Sequence, residues 1–219
     1  ETGAKLIYIA IRRPDGYVGK PAEAGTDVFA QAYGANSGDF RFTSNFPVDF
    51  GWAKLYAGGG NWWTSARLIQ QRELKTNNSD AGGSGTNKEF DSNTQWHSGG
   101  ADSTYISHMW KRHVGFDVVT YDGSTTLIND VRHSLNAVPE MMWIKARSGQ
   151  YAGSANWFVY HKDFFQQSQY AVTGQQGVWT GSSVWGDGTV PHTKTHFTMG
   201  DTAGNNYENA AFLFATNPG

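Results

Sequence analysis

The sequence predicts an all-β fold, made of one or two antiparallel β-sandwich units of jelly-roll or concanavalin-like type with long Gly-rich loops. Its ordered-looking segments are short, rich in aromatic and β-branched residues, and separated by Gly, Asn, Asp and Ser. Similar segments also recur at intervals of about 100 residues. Aromatic residues make up 15% of the 219 residues and charged residues 16%, which is typical of a folded domain.

Strands are predicted wherever such segments end at a turn signal or begin after a proline. They are Leu6–Ile11, Phe116–Tyr121, Met141–Lys145, Trp157–His161 and a last strand containing Phe212–Phe214. The best helical composition lies in Leu68–Lys75 (LIQQRELK), which is long enough for only one to two turns. Helix therefore contributes little to the predicted fold.

Three segments resemble one another and indicate an internal repeat. Leu6–Arg13 (LIYIAIRR), Tyr105–Arg112 (YISHMWKR) and Asn209–Thr216 (NAAFLFAT) begin 99 and 104 residues apart. Further matches lie between them in the same order, pairing Pro47 and Trp52 with Pro139 and Trp143, and Asn61-Trp62-Trp63 with Asn156-Trp157-Phe158. A unit of this length, built from short strands, suits a small β-sandwich.

The repeat divides the chain into three parts. We expect residues 1–25 to be a strand and linker from a preceding unit, 26–113 a first β-rich unit, and 114–219 a second β-sandwich unit. Leu6–Arg13 could instead add to an edge of the first unit's sheet. Because the chain begins Glu1-Thr2-Gly3 without Met, we expect it to be part of a longer protein.

Charge and cysteine content exclude several classes of protein. The 17 Lys+Arg and 19 Asp+Glu give a net charge of −2 with no basic run, which argues against a nucleic-acid partner. The chain has no Cys, which excludes a disulfide scaffold, a thiolate zinc site, an iron–sulfur cluster and a Cys nucleophile. No apolar run approaches the roughly 20 residues of a membrane-spanning helix, so no membrane insertion is expected.

The second unit carries a recognisable series of motifs. In order they are Gly115–Gly123 (GFDVVTYDG), His133–Arg147 (HSLNAVPEMMWIKAR), Asn156–Lys162 (NWFVYHK), Thr195–Gly200 (THFTMG) and Asn209–Ala215 (NAAFLFA). This series resembles a module of virion and tail-fibre-like proteins of tailed phages, especially marine and cyanobacterial phages. The resemblance covers residues 5–215 and is most specific over 115–162. One departure is Asn136, where that family usually has Gly.

The resemblance implies a non-enzymatic structural role in a virion, as a fibre, tail or capsid-surface component that mediates assembly and surface display. It implies other virion proteins as partners and a homo-oligomer, with a trimer as one arrangement because phage fibres are commonly trimeric. It also implies location on the virion, after assembly in the host cytoplasm. The family as it is known has no catalytic residue, so none is carried over.

The residues themselves give no strong sign of catalysis, of a metal site or of a cofactor. Asp117, Asp122, Asp187 and Asp201 each lie in a turn or at a strand end, where Asp is common for backbone reasons. His192 and His196 are four residues apart, but Pro191 favours extended structure, in which their spacing is ~13 Å and one zinc ion cannot be shared. We therefore expect no enzyme, no metal and no cofactor.

Sugar binding is the more credible ligand hypothesis, because pyranose faces stack on Trp and Tyr. Weak candidates for contact with a host-surface glycan lie in loop-like sequence: Trp96, Tyr151, Trp179, Trp185 and Asp187. These aromatic rings could instead fill the core beneath loops or lie at a subunit interface. On the strand containing Trp62 and Trp63, alternation predicts that one ring is buried and the other exposed or interfacial.

The first hypothesis for function is therefore a non-enzymatic virion structural protein. The alternative is a glycan-binding host-recognition module of a tail fibre. A polysaccharide depolymerase is disfavoured, because no constellation of carboxylates is evident.

Overall fold

A computed structural model gives the structure of the protein over most of the chain. It describes residues 24–35, 41–69, 71–80, 82–84, 88–100, 102–124, 126, 128–147, 156–163, 169–173, 176–180, 184–186, 192–200 and 207–216. The predicted strand Leu6–Ile11 lies outside the described residues.

The structure is all-β, as the sequence predicts. Within the part of the chain that the structure describes there is no α-helix, only two 3₁₀ turns at Gly25–Asp27 and Arg67–Ile69. The strands of the first unit are β1 (Phe29–Tyr33), β2 (Arg41–Thr43), β3 (Phe50–Leu55), β4 (Trp63–Ala66), β5 (Arg72–Lys75), β6 (Gly83–Ser84), β7 (Lys88–Glu89), β8 (Gln95–Ser98) and β9 (Tyr105–Trp110). Those of the second unit are β10 (Phe116–Asp122), β11 (Ile128–Arg132), β12 (Met141–Ala146), β13 (Trp157–His161), β14 (Gln169–Val172), β15 (Trp179–Thr180), β16 (His196–Met199) and β17 (Glu208–Phe214).

The two units share one strand topology. A six-stranded antiparallel sheet in the first unit has the order β1-β9-β3-β4-β5-β6, and the sheet of the second has the order β10-β17-β12-β13-β14-β15. A smaller sheet accompanies each, β2-β8-β7 in the first unit and β11-β16 in the second. The segments that the sequence matches, around Tyr105 and around Asn209, thus occupy the same place, second from the edge of each large sheet.

Strand register makes the correspondence exact to the residue. Phe50 and Met141 both pair with the last residue of the neighbouring strand, which is Trp110 in one unit and Phe214 in the other. The turns repeat as well: the N–H of Arg112 donates to the Asp49 carboxylate at 2.7 Å, and the N–H of Thr216 donates to the Glu140 carboxylate at 3.0 Å. Because hydrogen bonds recur at matched positions, the repeat is a property of the three-dimensional fold and is not limited to similar strand composition.

The sheets stack in four layers. Alternation along each strand gives both large sheets two apolar faces. One face of each packs on its own small sheet: Phe42, Trp96 and Met109 are buried in the first unit, and Val131, Phe197 and Leu213 in the second. The remaining faces of the two large sheets pack on each other, in a core that includes Phe50 and Phe212. Each unit is therefore a sandwich, and the two sandwiches share a third core.

Three strands predicted from the sequence are confirmed with close boundaries, namely β10, β12 and β13, and the Phe212–Phe214 segment lies in β17. The helical composition of Leu68–Lys75 does not produce a helix. Instead a 3₁₀ turn ends at Ile69, Gln71 takes a left-handed conformation with φ 61°, and β5 follows. Pairing of β5 with β4 and β6 outweighs the weak intrinsic propensity of so short a segment.

Candidate functional site

Two of the predicted glycan contacts, Trp96 and Trp185, lie in the core. Trp96 is fully buried between Phe42 and Phe90, with ring centroids 5.8 and 5.3 Å away, and its indole N–H donates to Ser107 Oγ at 3.0 Å. The indole of Trp185 is 1% exposed and donates to the Gln169 carbonyl at 2.7 Å. Because neither ring has free surface on which a sugar could stack, the predicted glycan contact is corrected at both positions.

Of the other three predicted glycan contacts, one is exposed and two lie outside the described residues. Trp179 is 46% exposed on β15, the last strand in its sheet, beside Val178, which is 55% exposed. Tyr151 and Asp187 lie outside the described residues. The structure therefore does not gather the five candidates into one site, and Trp179 alone among the described ones offers a ring to solvent.

Trp62 and Trp63 are both half-buried, so the predicted contrast between a buried and an exposed ring is wrong. Trp62 precedes β4 and packs on Trp52, with ring centroids 5.1 Å apart. Trp63 lies beneath the ammonium groups of Lys75 and Lys88, which are 5.2 and 5.7 Å from its ring centroid. Alternation does place the two rings on opposite faces, but lysine stems and a neighbouring indole cover each of them partly.

The contact between the two units is the most aromatic part of the molecule. Phe50 of the first unit lies against Phe212 and Phe116 of the second, with centroid distances of 4.6 and 5.8 Å. Trp52 stacks on Trp143 at 5.9 Å with an interplanar angle of 24°. Trp52 and Trp143 are also the residues that the sequence repeat pairs, so corresponding indoles from the two units meet at this contact.

A buried lysine adds a polar contact between the units. Lys145, on β12, is fully buried and donates from Nζ to the Ser79 carbonyl of the first unit at 2.9 Å. Burial lowers the pKa of its ammonium to about 8, against a smaller opposite effect from the Asp80 carboxylate. The same neighbourhood contains the Trp157 indole N–H, which donates to the Lys75 carbonyl at 2.8 Å.

An open aromatic face extends beyond this contact on the first unit. Its side chains lie on β1, on β9 and just after β3, and the exposed ones are Phe29 at 39%, Tyr33 at 60% and Tyr56 at 59%. Tyr33 meets Tyr56 edge to face at 5.5 Å, and the ring of Phe29 lies 6.1 Å from that of His108. We call this surface, Phe29, Gln31, Tyr33, Tyr56, Ile106 and His108, the open face.

Sequence reasoning missed the open face because it did not identify β1 as a strand. A usable signal was the alternation in Phe29-Ala-Gln-Ala-Tyr33, with small residues on one side and large ones on the other. The two Ala side chains pack on the first unit's own core, which leaves Phe29 and Tyr33 facing outward. Burial lowers the pKa of the His108 imidazole, whose Nδ1 has no hydrogen-bond partner among the described residues.

A cavity of about 460 Å³ lies beside the connection between the units, lined by Leu68, Arg112, Val118, Val119, Thr120, Arg132, His133 and Ser134. Beneath it the fully buried Asp117 carboxylate accepts hydrogen bonds from the Arg112 guanidinium, from the Ser134 N–H at 2.6 Å and from the Val118 N–H at 2.8 Å. These bonds fix the connection, so Asp117 has a structural task at this point. Asp122 is exposed at the end of β10, and Asp187 and Asp201 lie outside the described residues.

The comparison with protein families gives one match. The sequence model of a family described as a domain of unknown function, DUF7483, matches residues 92–219. The chain belongs to this family. The DUF7483 match begins just before β8 and contains β9 and the whole second unit. Neither the curated proteins nor the solved structures gave a match.

The histidines of the DUF7483 region do not form a metal site in the described residues, where no group of three or more His, Asp or Glu side chains could hold a metal ion. His192 instead packs its ring edge to face on Tyr160 at 5.1 Å, and its Nδ1 accepts the Thr198 N–H at 3.3 Å. Burial lowers the pKa of His192 to about 4, with smaller effects from His133 and His196. Among the described residues, no helix is long and apolar enough to cross a membrane.

Proposed function

We propose that this chain is a non-enzymatic structural component of a tailed-phage virion, in a fibre, a tail or the capsid surface, where it mediates assembly and surface display. The resemblance of the Gly115–Gly123, His133–Arg147 and Asn156–Lys162 motifs to virion modules supports this role. Its proposed partners are other virion proteins and further copies of the same chain, and its proposed location is the particle.

The observation that carries the proposal is the way the two units associate. Two copies of one sandwich fold pack through a shared core in which Phe50, Phe116 and Phe212 are at most 2% exposed. A fold that already packs on itself through a large apolar sheet face is suited to repetitive assembly. The Asp117 carboxylate accepts hydrogen bonds from the Val118 and Ser134 N–H groups, and this structural task agrees with a non-enzymatic role.

The test is the protein content of particles purified from the phage or prophage that encodes the chain. Mass spectrometry of gradient-purified particles is expected to detect the chain in amounts comparable to known virion proteins, and an antibody against it should label particles in electron micrographs. A phage replication protein serves as the control for carry-over from the lysate. Absence of the chain from washed particles, with the control also absent, would contradict the proposal.

The second candidate function is binding of a host-surface glycan, which the exposed rings favour. Trp179, Tyr33 and Tyr56 are 46%, 60% and 59% exposed, and sugars stack on such rings. On a glycan array, this function predicts specific binding that falls at least tenfold in Trp179→Ala or Tyr56→Ala. Leu68→Ala is the matched control, since Leu68 is equally exposed at 46% but has no ring. Binding that is unaffected by both ring variants would count against it.

A further inference from the structure

Strand register allows the contact between the units to be compared position by position. Residues with the same partners in the two large sheets correspond, so that Phe29 matches Phe116 at the start of the edge strand and His108 matches Phe212 on the next strand. On β3 and β12, Phe50 corresponds to Met141. The burial of each matched pair then shows which part of each unit contributes to the contact.

The second unit contributes mainly its first two strands, together with Trp143 of β12 and Trp157 of β13. Four side chains of β10 and β17 that face the first unit are at most 2% exposed: Phe116, Val118, Ala210 and Phe212. Their counterparts on β1 and β9 of the first unit belong to the open face and are half-buried or exposed: Phe29, Gln31, Ile106 and His108. The same strand pair is therefore covered in one unit and uncovered in the other.

The first unit contributes a different part of its sheet. Four facing side chains of β3, β4 and β5 are fully buried: Phe50, Thr64, Ala66 and Leu74. Their counterparts on β12, β13 and β14 of the second unit are half-buried: Met141, Val159, His161 and Ala171. We call these four residues the trailing face.

The contact between the units is consequently heterologous. A two-fold relation would bury the same positions in both units. Here Trp52 and Trp143 do correspond, but the fully buried positions of one unit are matched by half-buried or exposed positions in the other. Part of each large sheet is therefore left uncovered, and these parts are the open face and the trailing face. A heterologous contact can be repeated from one copy to the next, giving a ring if the rotation closes and a filament if it does not.

We propose that the open face binds the trailing face of a second copy of this chain, which continues the head-to-tail packing of the two units. This proposal rests on the assembly role proposed above and names the partner in it. By correspondence with the Phe50–Phe116 and Phe50–Phe212 contacts, Met141 of one copy lies against Phe29 and His108 of the next.

The chemistry of the two faces fits a reversible contact. In the proposed contact, Phe29 and Ile106 of the open face meet Met141 and Val159 of the trailing face. The open face also carries two polar side chains: Gln31 corresponds to Val118 of the second unit, and His108 corresponds to Phe212. The proposed contact is therefore more polar than the contact between the two units. Interfaces between separate chains are typically more polar than a domain core. We therefore expect association that depends on concentration, weaker than the contact within one chain.

Cross-linking tests the proposal directly, because the chain has no Cys and engineered thiols are the only ones present. A 1:1 mixture of Phe29→Cys and Met141→Cys, treated with a short bis-maleimide, should give a cross-linked dimer, and the double variant should give a ladder of oligomers or one closed ring. Thr43→Cys mixed with Met141→Cys is the control, since Thr43 is exposed on β2 in the small sheet. Sedimentation velocity of the unmodified chain should show mass that rises with concentration.

Three results would overturn the proposal. The Phe29–Met141 mixture could cross-link no better than the control, or Phe29→Cys alone could cross-link as well as the mixture, which indicates a two-fold contact. Failure of Phe29→Cys to react with a small maleimide would show that another part of the same chain covers the open face. These results test self-association in solution, whereas mass spectrometry of purified particles tests the proposed virion role. The two experiments are independent, so either proposal can fail without the other.

Discussion

At the scale of single residues, the core of the first unit depends on the close approach of Gly51 to Trp96. A Cβ added at Gly51 would lie 2.5 Å from Cε2 of the indole, well inside van der Waals contact. The ring cannot move away, because it is fully buried and its N–H is bonded to Ser107, whose hydroxyl in turn donates to the Trp52 carbonyl at 2.9 Å. The glycine is thus required by the shape of the tryptophan beside it.

We predict that Gly51→Ala destabilises the protein by about 2–3 kcal/mol, because overpacking forces either the indole or β3 to shift. The measurement is chemical denaturation followed by fluorescence. Gly59→Ala is the matched control, since nothing lies within 4 Å of a Cβ at that position. An equal effect of the two substitutions would show that loss of glycine flexibility, and not the contact with Trp96, is responsible.

Protonation of His192 makes the free energy of unfolding depend on pH. Its folded-state pKa is about 4, below the ordinary value of 6.5, because burial disfavours the charged imidazolium. The unfolded chain therefore binds a proton at higher pH than the folded chain does. The stabilisation is fully present above pH 6.5 and is lost as the pH falls toward 4.

We predict that the free energy of unfolding falls by about 2 kcal/mol from this residue between pH 6.5 and 4, somewhat less than the full linkage value because the ring keeps some solvent contact. Urea denaturation at a series of pH values measures it. His192→Gln should flatten the dependence in this window. An unchanged slope in the variant would assign the acid sensitivity to other groups.

At the scale of elements, the Asp117 carboxylate joins three pieces of chain that adjoin the connection between the units. It binds the Arg112 guanidinium, the start of β10 and the loop after β11 at the Ser134 N–H. Arg112 is held from the other side, since its own N–H donates to the Asp49 carboxylate. This ion pair, together with the shared core, thus holds β10 against the first unit.

We predict that Asp117→Asn costs about 3 kcal/mol, because it leaves the Arg112 cation without its counter-charge in a partly buried site. Asp130→Asn is the matched control: its ion pair with Arg132 is solvent-exposed, at 58% and 83% side-chain exposure, and little change is expected. Thermal unfolding of both variants gives the comparison. Similar losses in both would contradict the role given to Asp117.

Strands whose large apolar residues run between turn signals were predictable from sequence, including the edge strand β10, whereas the edge strand β1 was not. Trp157–His161 is predicted at both ends because large apolar residues run between clear turn signals. β1 was missed because Ala occupies its inward positions, so the hydrophobic pattern is weak. The burial of Trp96 and Trp185 was also missed, since a Gly- and Ser-rich neighbourhood indicates backbone freedom and does not report how deep a side chain lies.

Asn136 has a clear backbone explanation. In the phage modules that the motifs of the second unit resemble, this position usually carries Gly, and the structure places Asn136 in the left-handed region with φ 57°. Gly adopts this conformation without strain, and Asn is among the side chains that tolerate it best. The departure therefore preserves the turn between β11 and β12.

At the scale of the whole molecule, the sequence repeat corresponds to the repeated strand order of the two large sheets, but it could not predict how these sheets pack. The matched segments specify strands and their order along the chain, because these depend on local pattern. The heterologous contact depends on which of two similar faces is more apolar: Phe116 and Val118 against Phe29 and Gln31, for example. The corresponding residues of the two units can be compared only when the strand register is known, and the sequence alone does not give that register.

The shared core predicts that the two units unfold together. Phe50 is fully buried against Phe116 and Phe212 of the other unit, so we expect Phe50→Ala to cost about 4 kcal/mol and to lower a single unfolding transition. Calorimetry, together with hydrogen exchange at amides of both units, measures this. Two separated transitions, with only the first unit affected, would show that the units fold independently.

The stack of Trp52 on Trp143 gives the junction an optical signature of its own. Two indoles with centroids 5.9 Å apart and planes 24° from parallel couple their electronic transitions, whereas isolated indoles absorb independently. The coupling splits the far-ultraviolet circular dichroism into a pair of bands of opposite sign and depolarises the fluorescence by energy transfer. Trp62 and Trp110 of the first unit also lie 5.1 and 5.2 Å from Trp52. The part of the signal that is lost in Trp143→Phe is therefore the part that reports contact between the two units.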